Sequence, residues 1–410
     1  MTDRGDRIRT CDLVLPKHLK RKYRNIQTLI RLFFINSGFL YIFLLIFSNL
    51  AGLKTTISRY PYLGKGIKMH HAPRSPDNLE SNAFRLAKRF KVYPLSSEPN
   101  MRTLYCNEGE GWTYLKNDKL GFRNSREINK YEKFAYLIGD SYAHGACVPE
   151  ENTFSGNLNK VLKQKNIFVK NLGGSGHNPI HYDMTLKSFL PTKLPENLNP
   201  EFVILLIMEN DFNLQDIKNT EDALKIIKPN RSYEINNNEF DLTFSAKSFL
   251  KSINDLKKEK NIHGLSFIKN FIENTLKLRP VISIFISNPN KEQDNEENDS
   301  SYVIRTIENY SRRLNQLDIP LIVGFIPNGH ARFIEKRLSS NKEFKKFDDY
   351  MMRNHQNKNL YYVNFAENSQ RSDYALYGKG HYSKAGYFKY SNVLLKGLKN
   401  YIFTEDFDKI

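Results

Sequence analysis

The stretch Tyr136-Leu137-Ile138-Gly139-Asp140-Ser141-Tyr142 joins an apolar run to a hydroxyl. A run ended by Gly-Asp-Ser suits a buried strand whose carboxyl end carries a functional loop, with a helix beginning after Ser141. In open α/β sheets, ligands bind outside the carboxyl ends of the strands. A serine hydroxyl is a weak nucleophile at neutral pH and needs a base within hydrogen-bond reach. His381, in Gly380-His381-Tyr382-Ser383-Lys384-Ala385-Gly386, is the candidate base, because an unperturbed imidazole titrates near neutrality. The tetrahedral oxyanion of acyl transfer needs donors fixed in advance. The candidates are the backbone N–H of Ser141, that of Gly176 in Asn171-Leu172-Gly173-Gly174-Ser175-Gly176-His177-Asn178, and the carboxamide of Asn210 in Glu209-Asn210-Asp211-Phe212. Asp140 or Ser141 alone could simply cap a helix. The company of Gly176, Asn210 and His381 is what favours chemistry.

These residues need elements to bring them together. Apolar strand candidates alternate with helical stretches from Phe134 onward, the pattern of an α/β domain with a parallel sheet. The strands are Phe134–Ile138, Ile167–Lys170, Phe202–Met208, Leu321–Ile326 and Tyr361–Phe365. The helices are roughly Phe154–Lys163, Tyr302–Gln316, His330–Leu338 and Ala385–Tyr401. Three of the four motifs follow strands, and the fourth precedes the last helix, so a parallel sheet gathers them at one edge. Residues 213–300 are weakly patterned, with helical stretches at Ala246–Lys258 and Ser266–Leu278 and a polar run near residues 288–299. They read as an insertion, a lid or partner surface. In residues 54–133, turn residues alternate with aromatics between Leu104 and Ser125, which suggests short strands or a hairpin packed on the main domain.

The chain has 410 residues, 40% hydrophobic and 13% aromatic, so a large core is available. Its net charge of +18 is spread along the chain, with no zinc-finger spacing and no RNA-recognition aromatic motif. That argues against a nucleic-acid partner. Residues 1–31 are basic, and Gly5 to Asp12 resemble a peptide read from a neighbouring transfer-RNA gene, so the first part is read as a possible start-site artefact. Residues 32–53 carry no charge and, as a helix of about 33 Å, would cross the ~30 Å hydrocarbon core. The basic cluster before them favours a cytoplasmic amino terminus. The expectation is a single-pass anchor with residues 134–410, the main domain, outside the cytoplasm at a bacterial periplasm or cell surface. A cleaved signal peptide is the alternative. Cys106 and Cys147 fall on the same side of this segment and pair there or remain two buried thiols. No C-x-x-C pair or His/Asp/Glu set has metal-ligand spacing, and the chemistry needs no cofactor.

Taken in order, the Gly-Asp-Ser, Gly176, Asn210-Asp211 and His381 motifs resemble the SGNH (GDSL-type) hydrolase superfamily. The resemblance covers about residues 104–400, with a gap over the insertion. It implies a three-layer fold, a flavodoxin-like parallel sheet flanked by helices. It also implies roles: Ser141 as nucleophile, His381 as base, Gly176 and Asn210 as oxyanion donors. The pieces Cys106-Asn107-Glu108-Gly109-Glu110-Gly111-Trp112 and Gly145-Ala146-Cys147-Val148-Pro149-Glu150 resemble an exported bacterial subgroup in which the two cysteines occur together, which implies a Cys106–Cys147 disulfide. Two departures stand out. Family members carry an Asp two or three residues before the His, where this chain has Lys379 and Gly378. Asp373 is the nearest upstream acid and the candidate to orient the imidazole. Met208 stands where the third motif begins with Gly.

The expected function is a membrane-anchored, exported serine esterase acting on an acylated small molecule, envelope glycan or lipid. An acyltransferase of the same fold is the alternative. A catalytically weak glycan- or partner-binding module is another, supported by the missing acid.

Overall fold

The computed structural model describes residues 81–104, 108, 113–126, 133–260, 298–329, 338, 341–357, 359–375 and 380–403, together with 36 and 38. The expected anchor at 32–53, the basic segment before it, Cys106, Trp112 and the helical stretch 266–278 lie outside the described residues, save for 36 and 38. Among the described residues, no helix is long and apolar enough to cross a membrane.

The chain enters through α1 (Asn82–Phe90), capped by the Ser81 hydroxyl, which accepts from the Phe84 N–H. Two three-residue strands, β1 (Arg102–Leu104) and β2 (Tyr114–Lys116), pair antiparallel, as the alternation of turn residues and aromatics predicts. The main domain then runs β3 (Lys133–Ile138), the single turn α2 (Ser141–His144), α3 (Phe154–Leu162), β4 (Ile167–Asn171), α4 (Pro179–Phe189), β5 (Val203–Met208) and α5 (Leu214–Ile227). A hairpin of β6 (Tyr233–Asn236) and β7 (Glu239–Leu242) follows, then α6 (Phe244–Lys260). The remaining elements are α7 (Ser301–Asn315), β8 (Leu321–Ile326), α8 (Lys342–Asn354), β9 (Leu360–Asn364) and α9 (Lys384–Tyr401).

β3, β4, β5, β8 and β9 form one sheet in the order β4-β3-β5-β8-β9, with every pairing parallel. Every residue of β4, β5 and β8 is buried, and all of β3 after Lys133. Continuous burial in a period-two strand means that both faces are covered, which is why these strands read as unbroken apolar runs. Helices supply the cover: α3 packs on β4, α7 on β8 and α9 on β9. In α9 the buried positions Tyr387, Tyr390, Ser391, Leu394 and Leu398 fall at helical spacing on one face.

This strand order reverses between β3 and β5, the first strand going one way to β4 and the next going the other way. The crevice at such a reversal is where α/β folds bind their ligands. Gly139-Asp140-Ser141 leaves β3 and Glu209-Asn210-Asp211 leaves β5, so both motifs flank it.

The segment from 213 differs from a detached lid. Through residue 260 it is folded into the body: α1 packs on α5 and α6, and Tyr233, Phe240 and Leu242 of the hairpin join the main core. The physical reason is the alternation of buried and exposed residues along β7, which gives the hairpin one apolar face.

Candidate active site

Ser141 is the first residue of α2. The Asp140 carboxylate caps the turn, with Oδ1 accepting from the Tyr142 N–H at 2.8 Å and Oδ2 lying 3.3 Å from Ser141 Oγ. The entry to this turn is tight. A Cβ on Gly139 would lie 2.8 Å from the Leu206 carbonyl oxygen on β5, so only glycine lets the chain leave β3 this close to its neighbour. Burial pushes the Asp140 carboxyl above its usual range, opposed by the N–H groups it accepts and by nearby His381.

His381 lies on a narrow loop closed by the antiparallel bridge Tyr374–Tyr382 and by the Ala375 N–H donating to the His381 carbonyl at 2.7 Å. Below it, Ser383 caps α9 by accepting from the Gly386 N–H. Its Nε2 is 2.8 Å from Ser141 Oγ. The Tyr142 ring leans on the imidazole with centroids 4.9 Å apart, and Tyr374 and Tyr382 pack behind Tyr142. The imidazole is thus wedged by aromatics while its Nε2 faces the serine. Burial holds the Tyr142 and Tyr382 hydroxyls well above the ordinary phenol range, so these rings stay neutral.

The carboxylate beside His381 belongs to Glu108. Both of its carboxylate oxygens lie 3.1 Å from His381 Nδ1, and Oε2 also accepts from the His381 backbone N–H at 2.7 Å. The side chain is 9% exposed, against 26% for His381. A Cβ at position 380 would sit 2.7 Å from Glu108 Oε2, so Gly380 leaves the carboxylate its room. Ser141, His381 and Glu108 therefore form a hydrogen-bonded series of hydroxyl, imidazole and carboxylate, the order of a Ser-His-acid triad.

Asp373 does not take that place. Its Oδ2 pairs with Lys389 Nζ at 2.7 Å and accepts from the Tyr390 hydroxyl at 2.6 Å and the Gln370 N–H at 2.9 Å. Its carbonyl accepts from the Ser383 N–H and hydroxyl. It fastens the foot of α9 and so braces the His381 loop without touching the ring. Sequence proximity suggested Asp373; the fold brings Glu108 in from the amino-terminal hairpin instead. The signal for it was faint: one of two acids, Glu108 and Glu110, in a glycine-containing stretch just after a cysteine.

The expected oxyanion donors lie on the neighbouring loops. The loop after β4 is laced to the one after β3, with the Gly174 N–H donating to the Gly139 carbonyl at 3.1 Å. Gly176 sits two residues on, exposed, with φ +79, a conformation that favours glycine. Asn210 is exposed on the turn after β5. The next residue, Asp211, is driven into the core, where it accepts from the Met208 N–H at 2.8 Å and, through both oxygens, lies 3.0 Å from the Tyr182 hydroxyl of α4. Burial, then the proximity of Asp140, pushes the Asp211 carboxyl well above the carboxylate range. Tyr182 thus links the helix that follows Gly176 to the turn that carries Asn210.

The nearby histidines have other work. His181 is buried, bonds the Tyr93 hydroxyl at 3.0 Å and completes the Asn178 capping box at the start of α4. Burial lowers it to about 3. His177 stacks on it with centroids 4.8 Å apart. His144 is buried at the end of α2.

Glu108, Cys147 and His381 bring ligand-type atoms within 4.8 Å of one another. The set does not suit a metal ion. Cys147 is disulfide-bonded and offers no thiolate, and the Glu108 carboxylate is taken up by His381.

No family model matches the chain, and no curated protein does. Among solved structures it is similar to a putative lipolytic protein of the G-D-S-L family from Desulfitobacterium hafniense DCB-2. Identity is 14% over 65% of this chain and 100% of that one, with a TM-score of 0.32. It is also similar to LAE5, an α/β hydrolase enzyme from the metagenome of Lake Arreo, Spain, at 12% identity over 65% and 96% of the two chains, with a TM-score of 0.33. A third is AlinE4, an SGNH-hydrolase family esterase, at 14% identity over 46% and 95%, with a TM-score of 0.17.

Proposed function

We propose that the chain is a serine esterase of SGNH type. The observation that carries this reading is the series Ser141 Oγ to His381 Nε2 at 2.8 Å and His381 Nδ1 to Glu108 at 3.1 Å. In the first half-reaction, Ser141 Oγ attacks an ester carbonyl as His381 Nε2 takes its proton. The tetrahedral oxyanion is received by the Ser141 and Gly176 N–H groups and the Asn210 carboxamide. Collapse expels the alcohol, which takes the proton back from His381 and leaves an acyl-serine. In the second, water attacks the acyl group by the same route and releases the acid. Glu108 holds the imidazole with Nδ1 protonated and faces the charge that develops on the ring.

The wider setting belongs to the same proposal. Residues 32–53 anchor the chain and the catalytic domain lies outside the cytoplasm. The disulfide at Cys147 favours that side, since disulfides persist in oxidising compartments. The substrate class is an acylated glycan or lipid of the envelope. A sugar hydroxyl replacing water in the second half-reaction would make the enzyme a transferase. The binding-module alternative rested on a missing acid, and the Glu108 carboxylate beside His381 supports the enzyme reading over it.

The test is p-nitrophenyl acetate turnover and fluorophosphonate labelling of the detergent-solubilised full chain beside Ser141→Ala and His381→Ala. Turnover and labelling confined to the parent support the reading. Equal background in all three would abandon it.

A further inference from the structure

We propose that Arg123 is a positioning residue for the nucleophile: its guanidinium sets the turn that begins with Ser141. This rests on the serine-hydrolase reading and adds to it a residue that acts through the backbone.

Ser141 opens α2, a helix of a single turn. So short a helix is marginal by itself, and the last carbonyls of any helix lack an intrahelical partner. The Asp140, Ser141 and Tyr142 carbonyls accept from the backbone N–H groups of His144, Ala146 and Gly145. The carbonyls that follow accept from side chains brought in from elsewhere. Asn171 Nδ2 donates to the Ala143 carbonyl at 2.8 Å. Arg123 Nη1 donates to the His144 carbonyl at 3.2 Å and to that of Gly145, and Nη2 donates to the Val148 carbonyl at 2.6 Å. One planar fork thus grips the chain from residue 144 to residue 148, as an arginine can at the end of a helix. Gly145 leaves it room, since a Cβ there would lie 3.2 Å from Nη1.

Arg123 is 1% exposed, and a guanidinium taken out of water is costly unless its donors are matched. Its root is fixed by contacts separate from the turn it grips. The Phe122 ring is buried, 5.5 Å from that of Phe189 and 6.0 Å from that of Tyr233. Asp118 Oδ1 accepts from the Leu120 and Phe122 N–H groups. Asn124 brackets Asn171 of β4: Oδ1 accepts from its N–H at 2.9 Å, and Nδ2 donates to its carbonyl at 3.0 Å. The stem of Arg123 is therefore held by the core and by β4 while its head grips the nucleophile turn. Loosening that grip would let Ser141 Oγ move against His381 Nε2, now 2.8 Å away. A misplacement of ~1 Å can cost ~10²-fold in rate.

The experiment compares the detergent-solubilised full chain with Arg123→Met, Arg123→Lys, Leu314→Ala and Ser141→Ala. Titration with a fluorophosphonate counts reactive serines, so kcat on p-nitrophenyl acetate is read per titrated site. Arg123→Met keeps a long stem without donors. It should lower kcat per site by roughly 10- to 100-fold, and the rate of fluorophosphonate labelling with it, while KM changes little. Arg123→Lys keeps the charge but not the fork and should lie between Arg123→Met and the parent. Leu314, buried in α7, supplies the stability control: Leu314→Ala should lower the urea midpoint with kcat per site at the parental value. If Arg123→Met fails to fold, Arg123→Lys decides. Parental kcat per site in a folded Arg123 variant, a loss matched by Leu314→Ala, or a loss confined to KM would overturn the proposal. Ser141→Ala with parental turnover would defeat the serine reading itself. An inactive Ser141→Ala beside a fully active Arg123→Met would defeat the positioning role alone.

Discussion

Two regions meet at His381, and they are built on different principles. The Ser141 loop is an outgrowth of the sheet: β3 is buried on both faces, Asp140 caps the turn, and the Gly174 N–H ties the next loop to it. Glu108 comes from outside the sheet, between β1 and β2, and its carboxylate meets the His381 ring and backbone N–H. Ser141 is placed by the core of the domain, Glu108 by a segment that precedes the domain in sequence. Damage to the sheet should therefore cost folding, whereas damage to the acid's seat should cost rate in a folded protein.

The sharpest break in this comparison is at its two ends. On the proposed mechanism Ser141→Ala removes the attacking oxygen, and esterolysis should fall by roughly 10⁴-fold or more with the fold intact. Glu108→Gln should follow at roughly 10³- to 10⁴-fold in kcat. The amide can donate to Nδ1 and so favours the tautomer whose Nε2 already carries a proton and cannot take that of Ser141. Asp373→Asn is the paired control: it breaks the contact with Lys389 and should lower the melting temperature while leaving kcat near that of the parent. A kcat for Asp373→Asn as low as that of Glu108→Gln would restore Asp373 as the working acid.

That contrast also explains what could be read from the sequence. The parallel sheet was legible because strands covered on both faces must be apolar throughout, and Val203–Met208 and Leu321–Ile326 can hardly be anything else. Ser141 and His381 were legible because the sheet delivers each motif to the same edge. Glu108 was not, because its approach to His381 depends on where a hairpin outside the sheet folds back, and no local periodicity encodes that. The search instead stayed on the His381 loop and stopped at Asp373, whose true partners, Lys389 and Tyr390, lie one turn into the next helix. The segment after Asn213 misled in the opposite sense. Its weak pattern suggested a lid or partner surface, yet Tyr233 and Phe240 close onto Phe189 in the core, a contact between the β6–β7 hairpin and α4 that sequence spacing cannot show.

A smaller effect tests how far the sheet edge also serves the oxyanion. Asn210 is exposed on its turn, while Asp211 beside it is locked to Met208 and Tyr182. As the proposed oxyanion donor it lies outside the core, so Asn210→Ala should keep the parental melting temperature and lose roughly 10²-fold in kcat with little change in KM. Loss expressed mainly in KM would assign Asn210 to ground-state binding instead. An unchanged kcat would leave the oxyanion to backbone donors alone.

The smallest effect on rate should come from His181, which belongs wholly to the sheet side. Its ring is buried against Tyr93 and closes the cap of α4, and burial lowers it to about 3 from an ordinary value near 6.5. A folded-state value below the unfolded one means that the unfolded chain binds the proton more readily. The stability contributed by neutral His181 is therefore complete above pH ~6.5 and drains away as pH falls from there toward 3. His181→Gln keeps polar atoms at the cap but removes the titration. Its urea midpoint should be somewhat below that of the parent at pH 7.5, through imperfect replacement of the ring. Between pH 6.5 and 4.5 it should then fall less steeply than the parent's, so that the two curves converge. Parallel curves through that range would mean that the His181 site takes up a proton without opening, and that the rigidity assigned to the sheet edge is less than its burial implies.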